Sequence, residues 1–166
     1  RSSDLGIRAH DRRDVAAAEH HAGIEPDDAR AAVRLAREAG FDNVSIDLMF
    51  ALPPQTPESW RETLREAVAL ETDHLSAYSL IYEEGTPLYS LFSRGQVTPT
   101  DEETDAAMYA EAIAFLAENG FAQYEVSNFA HVGRECRHNL TCWSGGEYLA
   151  LGPSAHGFVG NTRYWN

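Results

Sequence analysis

Apolar and polar positions follow two different rhythms along the first half of the chain. Residues 26–39 and 57–70 place apolar side chains every three or four positions, which predicts two helices that each bury one face. Residues 4–9, 43–52 and 74–82 are short and mainly apolar, which predicts three strands. Strands that alternate with helices of this length are typical of βαβ units, so the pattern predicts an α/β fold with a parallel sheet.

Capping residues mark where these helices begin and end. Pro26 suits the first turn of the first helix, and Gly40 suits its end. Thr56 is the predicted N-cap of the second helix, with Pro57 in its first turn.

The rhythm changes after residue 83. Residues 83–88, EEGTPL, are predicted to form a loop, and residues 101–119 a long acidic helix. Thr100 and Glu103 are spaced as a capping box for that helix, and Gly120 is its expected stop. The later phrases QYEVSNFA, RHNLTCW and YLALGPSAHGFV indicate short strands and glycine-rich turns.

Composition narrows the class of partner. The 166 residues carry a net charge of −13, which argues against nucleic acid and anionic membrane surfaces as main partners. Two cysteines are too few for a disulfide framework, so a reducing cytoplasm is the expected location. No apolar run approaches the roughly 18 residues that span a bilayer, so no transmembrane segment is expected.

Polar or strand-end residues of the predicted sheet are candidates for ligand binding. Asp47 interrupts an apolar strand and is expected close to its C-terminal end, where parallel α/β folds bind ligands. Leu80, Ile81 and Tyr82 end the next strand, and their backbone groups could bind a flat heteroaromatic ring. The alternatives are a capping aspartate and ordinary strand-core residues.

Further along the chain, the phrase YEVSNF places Glu125, Ser127 and Asn128 at the end of a predicted strand. Strand alternation predicts that Glu125 and Ser127 share one face. These side chains could orient a site, or they could cap a turn.

The phrase RHNLTCW holds several groups that bind metals or hydrogen-bond. If a helical turn runs through it, His138 and Cys142 lie at positions i and i+4 on one face. The alternative is an ordinary turn. Cys136, His138 and Cys142 also resemble three zinc ligands, but structural zinc normally takes four, and no second pair follows. Zinc is therefore not expected.

Several phrases in fixed order resemble one family: AGFDNVSIDLMFALPPQTPESW, HLSAYSLIYEEGTPL, GFAQYEVSNFA and CRHNLTCW…YLALGPSAHGF. The chain resembles the radical S-adenosylmethionine proteins related to oxygen-independent coproporphyrinogen III oxidase. More closely, it resembles their branch named for the heme chaperone HemW. The resemblance is continuous from residue 26 onward.

This resemblance implies the second half of a partial (β/α)6 TIM-like barrel at residues 1–83 and an α+β C-terminal extension at residues 84–166. It also implies S-adenosylmethionine and a [4Fe–4S] cluster as cofactors of the intact protein. By the match to the family's strand phrase, Asp47 would contact the S-adenosylmethionine ribose. Leu80 and Ile81 would lie against its adenine.

The family's HNxxYW phrase is associated with heme handling in the chaperone branch. By that match, His138 would contact heme iron or a propionate, and Trp143 would offer a stacking surface. Cys142 stands where the phrase has tyrosine, and it adds a soft ligand beside His138. The HNLTCW phrase therefore favours a heme-carrying role.

Some positions depart from the family pattern. No CxxxCxxC motif is present, so this chain is not expected to hold the family's cluster. Glu19 stands where relatives place an arginine that contacts S-adenosylmethionine, and Ala51 stands where they place glycine. Residues 1–25 match poorly.

Three functions follow as expectations. The first is a radical S-adenosylmethionine protein that binds heme and delivers it to an acceptor protein. The second is an oxygen-independent coproporphyrinogen III oxidase, which decarboxylates porphyrin propionates, so whether the intact protein is an enzyme stays open. The third is a fragment without autonomous function. Since an interrupted barrel exposes a strand edge, the isolated chain is expected to associate, with a homodimer as one outcome, or to be marginally stable.

Overall fold

The computed structural model of the chain describes residues 6–8 and 26–166. The described elements, in chain order, are β1 (Gly6–Arg8), α1 (Pro26–Glu38), β2 (Ser45–Phe50), α2 (Pro57–Ala69), β3 (His74–Ser79), α3 (Pro87–Ser93), α4 (Glu102–Glu118), β4 (Ala122–Gln123), β5 (Asn128–Ala130), α5 (Arg137–Trp143), β6 (His156–Val159) and β7 (Thr162–Trp165). Of the first predicted strand, the part described is β1. The substitution at Glu19 lies outside the described residues.

Within the described part of the chain, the main sheet has five strands in the order β1-β2-β3-β5-β4. Strands β1, β2 and β3 are parallel, with α1 and α2 following β1 and β2 along the chain. Strand β5 pairs antiparallel with β3, and β4 pairs antiparallel with β5. The predicted α/β fold with parallel strands is confirmed for the first three strands, and the sheet then continues in antiparallel pairing.

One face of this sheet forms the hydrophobic core with the helices. Along β2, side chains are alternately buried and half-buried, and the buried ones are Ile46, Leu48 and Phe50. They pack with apolar side chains of α1, α2 and α4. Trp60 of α2 is fully buried, and its indole N–H donates to the Met108 carbonyl of α4 at 3.0 Å. Each such large side chain contributes about 1.5–3 kcal/mol to folding.

The start of α2 agrees with its sequence signals. Thr56 is the N-cap, and its hydroxyl accepts a hydrogen bond from the Ser59 N–H at 3.2 Å. The Ser59 hydroxyl in turn accepts from the Thr56 N–H at 3.0 Å. This reciprocal pair satisfies two N–H groups that the first helical turn cannot pair internally.

The predicted capping box at the start of α4 is wrong. Asp101, one residue later than expected, is the N-cap, and its carboxylate accepts from the Thr104 N–H at 2.9 Å and the Thr104 hydroxyl at 2.8 Å. The Thr100 hydroxyl instead donates to the Ala51 carbonyl at 3.1 Å. A long-range contact therefore uses the side chain that the local spacing assigned to the cap.

The segment after β3 also differs from the prediction. The strand ends at Ser79, three residues earlier than expected, and α3 is a helix that the sequence reasoning did not identify. Thr86 is its N-cap and Pro87 lies in its first turn. The threonine–proline pair inside EEGTPL is a helix-start signal that was assigned to a loop.

The chain divides into two compact units, the described residues up to Arg134 and residues 135–166. The second unit contains α5 and the β6–β7 hairpin. A Cβ at Gly157 of β6 would lie 2.5 Å from Cζ of Tyr164 on β7, so glycine is required for the ring to lie against the strand. The sequence predicted a different division, between a partial barrel at residues 1–83 and an extension at residues 84–166. That division stays a prediction.

Across the described residues, no helix combines the length and apolar character that crossing a bilayer requires.

Candidate functional site

Asp47 lies on the face of the sheet opposite the helical core. It is half-buried and shares that face with Ser45 and Met49, since β2 alternates with Ile46 and Leu48 on the other side. The sequence placed it close to the strand's C-terminal end, but it is the third of six residues in β2. Its side chain therefore projects from within the strand rather than from its end.

A chain of hydrogen bonds crosses the neighbouring strands at the level of Asp47. Ser76 of β3 is the register partner of Asp47, and Asn128 of β5 is the register partner of Ser76. The Ser76 hydroxyl donates to the Asn128 side-chain oxygen at 2.7 Å, and the Asn128 amide donates to the Glu125 carboxylate. A polar row thus runs across this face from β2 to β5.

A second polar row begins two residues earlier on β2 and β3, where Ser45 and His74 are register partners. His74, which is buried, contacts the Ser45 hydroxyl through Nδ1 at 2.8 Å and the Tyr124 hydroxyl through Nε2 at 2.8 Å. Because both ring nitrogens have hydroxyl partners, the imidazole is held in a fixed orientation. The sequence reasoning missed His74 and Tyr124, since they are far apart along the chain.

The prediction that Glu125 and Ser127 share one strand face is wrong, because both lie in the bend between β4 and β5. The Glu125 carboxylate accepts from the Ser127 N–H at 3.0 Å and also from the Asn128 side chain. Glu125 therefore caps the turn and, through Asn128, fixes the hydroxyl of Ser76. Of the two alternatives for this residue, the turn-capping one is observed, and a role in orienting a site stays a prediction.

Leu80 and Ile81 follow directly after the carboxyl end of β3. The Leu80 N–H donates to the Phe50 carbonyl at 3.0 Å, which continues the pairing with β2 by one residue. Leu80 is half-buried, whereas Ile81 is 80% exposed. An exposed apolar side chain at this end of a parallel sheet is available to a ligand.

Two further residues beside this strand end carry unusual features. Ala51, directly after β2, has a φ of +58°, a conformation that favours glycine. This explains physically why glycine is the expected residue there. The Tyr82 hydroxyl is buried without a hydrogen-bond partner among the described residues, and burial raises its pKa.

In the second unit, α5 places an imidazole and a thiol side by side. Residues 137–143 form a helix, so His138 and Cys142 share one face, as predicted for a helical turn. Cys142 Sγ lies 3.7 Å from His138 Nε2, and both side chains are exposed. The His138 ring also packs edge-on against Tyr148, with ring centroids 5.6 Å apart.

The second unit also exposes several apolar side chains. Trp143 at the end of α5 is 68% exposed. Other exposed apolar side chains of the same unit are Leu140, Leu149, Leu151, Val159 and Trp165. An exposed donor pair on a helix with accessible aromatic and aliphatic side chains suits a large, flat, apolar ligand that carries a metal.

Comparison with known proteins gives a consistent result. The chain matches no protein-family model. It is 44% identical over 131 residues to the heme chaperone HemW of Bacillus subtilis, covering 79% of this chain and 35% of that protein. It is 41% identical over 141 residues to HemW of Mycobacterium tuberculosis, covering 85% and 36%. It is also 42% identical over 122 residues to a mitochondrial radical S-adenosyl methionine domain-containing protein of Danio rerio, covering 74% and 28%.

The fold has a counterpart among solved structures. The structure of coproporphyrinogen III oxidase, HemN, from Escherichia coli matches 98% of this chain and 40% of its own, with a TM-score of 0.74 and 22% identity. The chain belongs to the family of HemW-like proteins. It spans about a third of the length of the HemW proteins that it matches.

The sequence of this family member does not fit a [4Fe–4S] cluster. Such clusters are held by three or four cysteine thiolates, and the chain has Cys136 and Cys142, which lie six positions apart. Within the described part of the chain, no three His, Cys, Asp or Glu side chains are grouped so that they could hold a metal ion. No cluster is therefore assigned to these residues.

Proposed function

We propose that the intact protein is a heme-binding and heme-delivery chaperone of the radical S-adenosylmethionine family. The observation that carries the proposal is the exposed His138–Cys142 pair on α5, in a chain 44% identical to a heme chaperone. Imidazole and thiolate are both protein ligands of heme iron. Trp143, at the C-terminal end of the same helix, would stack on the porphyrin.

Exposure of this site agrees with transport rather than with permanent storage of heme. His138 and Cys142 are exposed, and Trp143 is 68% exposed, so a porphyrin on α5 would remain accessible to an acceptor protein. A resident heme is normally enclosed, because burying both faces of the macrocycle removes a large apolar area from water. The proposed partner is therefore a protein that removes the heme from an open surface.

Heme titration of the 166-residue chain tests this function. We expect a Soret shift with ferric hemin and with dithionite-reduced heme, and loss of both shifts in the double variant His138→Ala/Cys142→Ser. The matched control is His156→Ala/Cys136→Ser, which removes one histidine and one cysteine elsewhere in the same unit. Equal loss of binding in both double variants, or no shift in the unmodified chain, would contradict the proposal.

For the first unit, we infer that Asp47, Leu80 and Ile81 form part of an S-adenosylmethionine site. Asp47 offers a carboxylate on the polar face of the sheet, in register with Ser76, and two ribose hydroxyls are suitable donors to it. Leu80 and the exposed Ile81 offer backbone groups and apolar surface to an adenine at the carboxyl end of β3. When bound in the intact protein, this cofactor would supply radical chemistry that these residues position.

Calorimetric titration with S-adenosylmethionine tests that assignment. Because charge-assisted hydrogen bonds contribute about 1.5–3 kcal/mol, Asp47→Asn should weaken binding by about tenfold or more. Asp42→Asn, which changes an exposed aspartate in the loop before β2, is the matched control. Unchanged affinity in the Asp47 variant would remove this residue from the site.

The oxidase alternative from the sequence stays a prediction. The likeness to HemN is at 22% identity and shows the fold alone, so it does not favour decarboxylation over heme carriage. Product analysis with coproporphyrinogen III and the intact protein separates the two functions. A vinyl-bearing product would establish the oxidase activity.

A further inference from the structure

Cys142 and His138 place two different potential iron ligands, a thiol and an imidazole, next to each other. Cys142 Sγ and His138 Nε2 are 3.7 Å apart, and both project from the same exposed face of α5, one helical turn from each other. Cys142 is a free, exposed cysteine. Imidazole and thiolate therefore lie side by side, each with access to solvent and to the same ligand.

The geometry of a porphyrin prevents both groups from binding its iron together. The four ring nitrogens occupy the equatorial positions, so the two remaining positions lie on opposite faces of the macrocycle. If His138 and Cys142 occupied both, the ring would have to pass between them and through residues 139–141 of α5, which form the intervening turn. Only one of the two side chains could therefore bind the iron of a given porphyrin, and the other would lie next to the iron–ligand bond.

We propose that the oxidation state of the iron selects between them: Cys142 ligates ferric heme, and His138 ligates ferrous heme. This inference rests on the proposed heme-binding function. In the ferric state, the iron and the porphyrin ring dianion together carry one positive charge, which an anionic thiolate neutralises at short distance. In the ferrous state, this iron–ring core is uncharged, so the neutral imidazole of His138 is the better ligand after reduction.

The exchange balances as a one-electron step. As ferric heme binds, the Cys142 thiol loses its proton to solvent and the Fe–S bond forms. An external one-electron donor, dithionite in the test, reduces Fe(III) to Fe(II). The Fe–S bond then breaks with its electron pair on sulfur, which takes a proton from solvent, and the Nε2 lone pair of His138 forms the Fe–N bond.

X-ray absorption at the iron edge tests this exchange, because it distinguishes sulfur from nitrogen neighbours. In anaerobic samples of the 166-residue chain, we expect an Fe–S shell with ferric heme that disappears on dithionite reduction and returns on reoxidation. Cys142→Ser should lack the shell, and Cys136→Ser, which changes the other cysteine of the chain, should keep it.

Affinities provide a second, independent readout. Cys142→Ser should weaken ferric heme binding by about tenfold and leave ferrous binding unchanged, whereas His138→Ala should show the reverse. Heme binding without an Fe–S shell, and with both states dependent on His138, would overturn the exchange and leave the carrier function intact. Absence of any heme binding would overturn both.

Discussion

At the scale of single residues, Asp73 shows how burial and hydrogen bonding compete at a carboxyl group. Its side chain is 15% exposed and accepts from the Val44 N–H at 3.0 Å and from Arg37 at 2.7 Å, with Arg134 at 3.5 Å. Burial raises the pKa of Asp73, but the hydrogen bonds from Val44 and Arg37 and the charges of both arginines lower it below its ordinary value. Asp73 thereby connects the last turn of α1, the residue before β2 and Arg134, which follows β5.

A pH-dependent loss of stability follows from the lowered pKa of Asp73. Because the folded pKa lies below the unfolded one, the carboxylate stabilises the fold above about pH 4 and ceases to do so as the pH falls through the folded pKa. Asp73→Asn should cost about 1–3 kcal/mol at pH 7, and the difference from the unmodified chain should shrink in acid. Urea unfolding at pH 7 and in acid measures the free energy of unfolding of both proteins, with Asp42→Asn as the exposed control. A difference in this free energy that does not change with pH would contradict the prediction.

At the scale of elements, hydrogen-bond partners outside a segment decide which of its residues caps a helix. Thr100 and Glu103 have the spacing of a capping box. The Thr100 hydroxyl nevertheless donates to the Ala51 carbonyl, and Asp101 caps α4. Thr56 keeps its predicted role at α2, since its hydroxyl has its partner within the same turn. Local spacing predicts a cap correctly where no distant group needs the same side chain.

The two capping schemes for α4 predict different mutational effects. Asp101→Ala should lower the melting temperature by several degrees, because the Thr104 N–H and hydroxyl lose their shared acceptor. Glu103→Ala should change it little, since Glu103 is exposed and would matter to a capping box with Thr100. Thermal denaturation, monitored by circular dichroism, compares the melting temperatures of the two variants. A larger decrease for Glu103→Ala than for Asp101→Ala would support the capping box of Thr100 and Glu103.

At the scale of the whole molecule, β1 and β4 lie at the two ends of the strand order of the main sheet, as far as the described residues show. β2 and β3 form the longest pairing within it. An edge strand presents backbone N–H and C=O groups that can pair with another chain. The sequence prediction of association or marginal stability remains to be tested.

We expect the sedimentation coefficient of the 166-residue chain to rise with protein concentration, or its thermal transition to be broad. Exposed edge groups of the sheet would pair with another copy in the first case, and incomplete burial of the sheet would weaken cooperativity in the second. Sedimentation velocity over a wide concentration range and calorimetry make the two measurements. A concentration-independent monomer with a sharp transition would refute the expectation.

Sequence alone determined the features that depend on local periodicity and composition. The bounds of α1, α2 and α4, the parallel strands and the shared face of His138 and Cys142 all follow from residues within one or two turns of each other. The family followed from the order of several phrases, and the comparisons confirm it. The cysteine count was also sufficient to show that a [4Fe–4S] cluster does not fit this chain.

Tertiary structure decided which distant polar groups meet. Ser76 and Asn128 are 52 positions apart, and His74 and Tyr124 are 50 apart, yet each pair is hydrogen-bonded because β3 and β5 lie side by side. The α4 cap also depends on a distant contact, because Thr100 donates to the Ala51 carbonyl and Asp101 is the N-cap. Periodicity predicts which face of a strand or helix a residue occupies. Which side chain it meets on that face depends on how distant segments of the chain pack together, and the local sequence pattern does not contain that information.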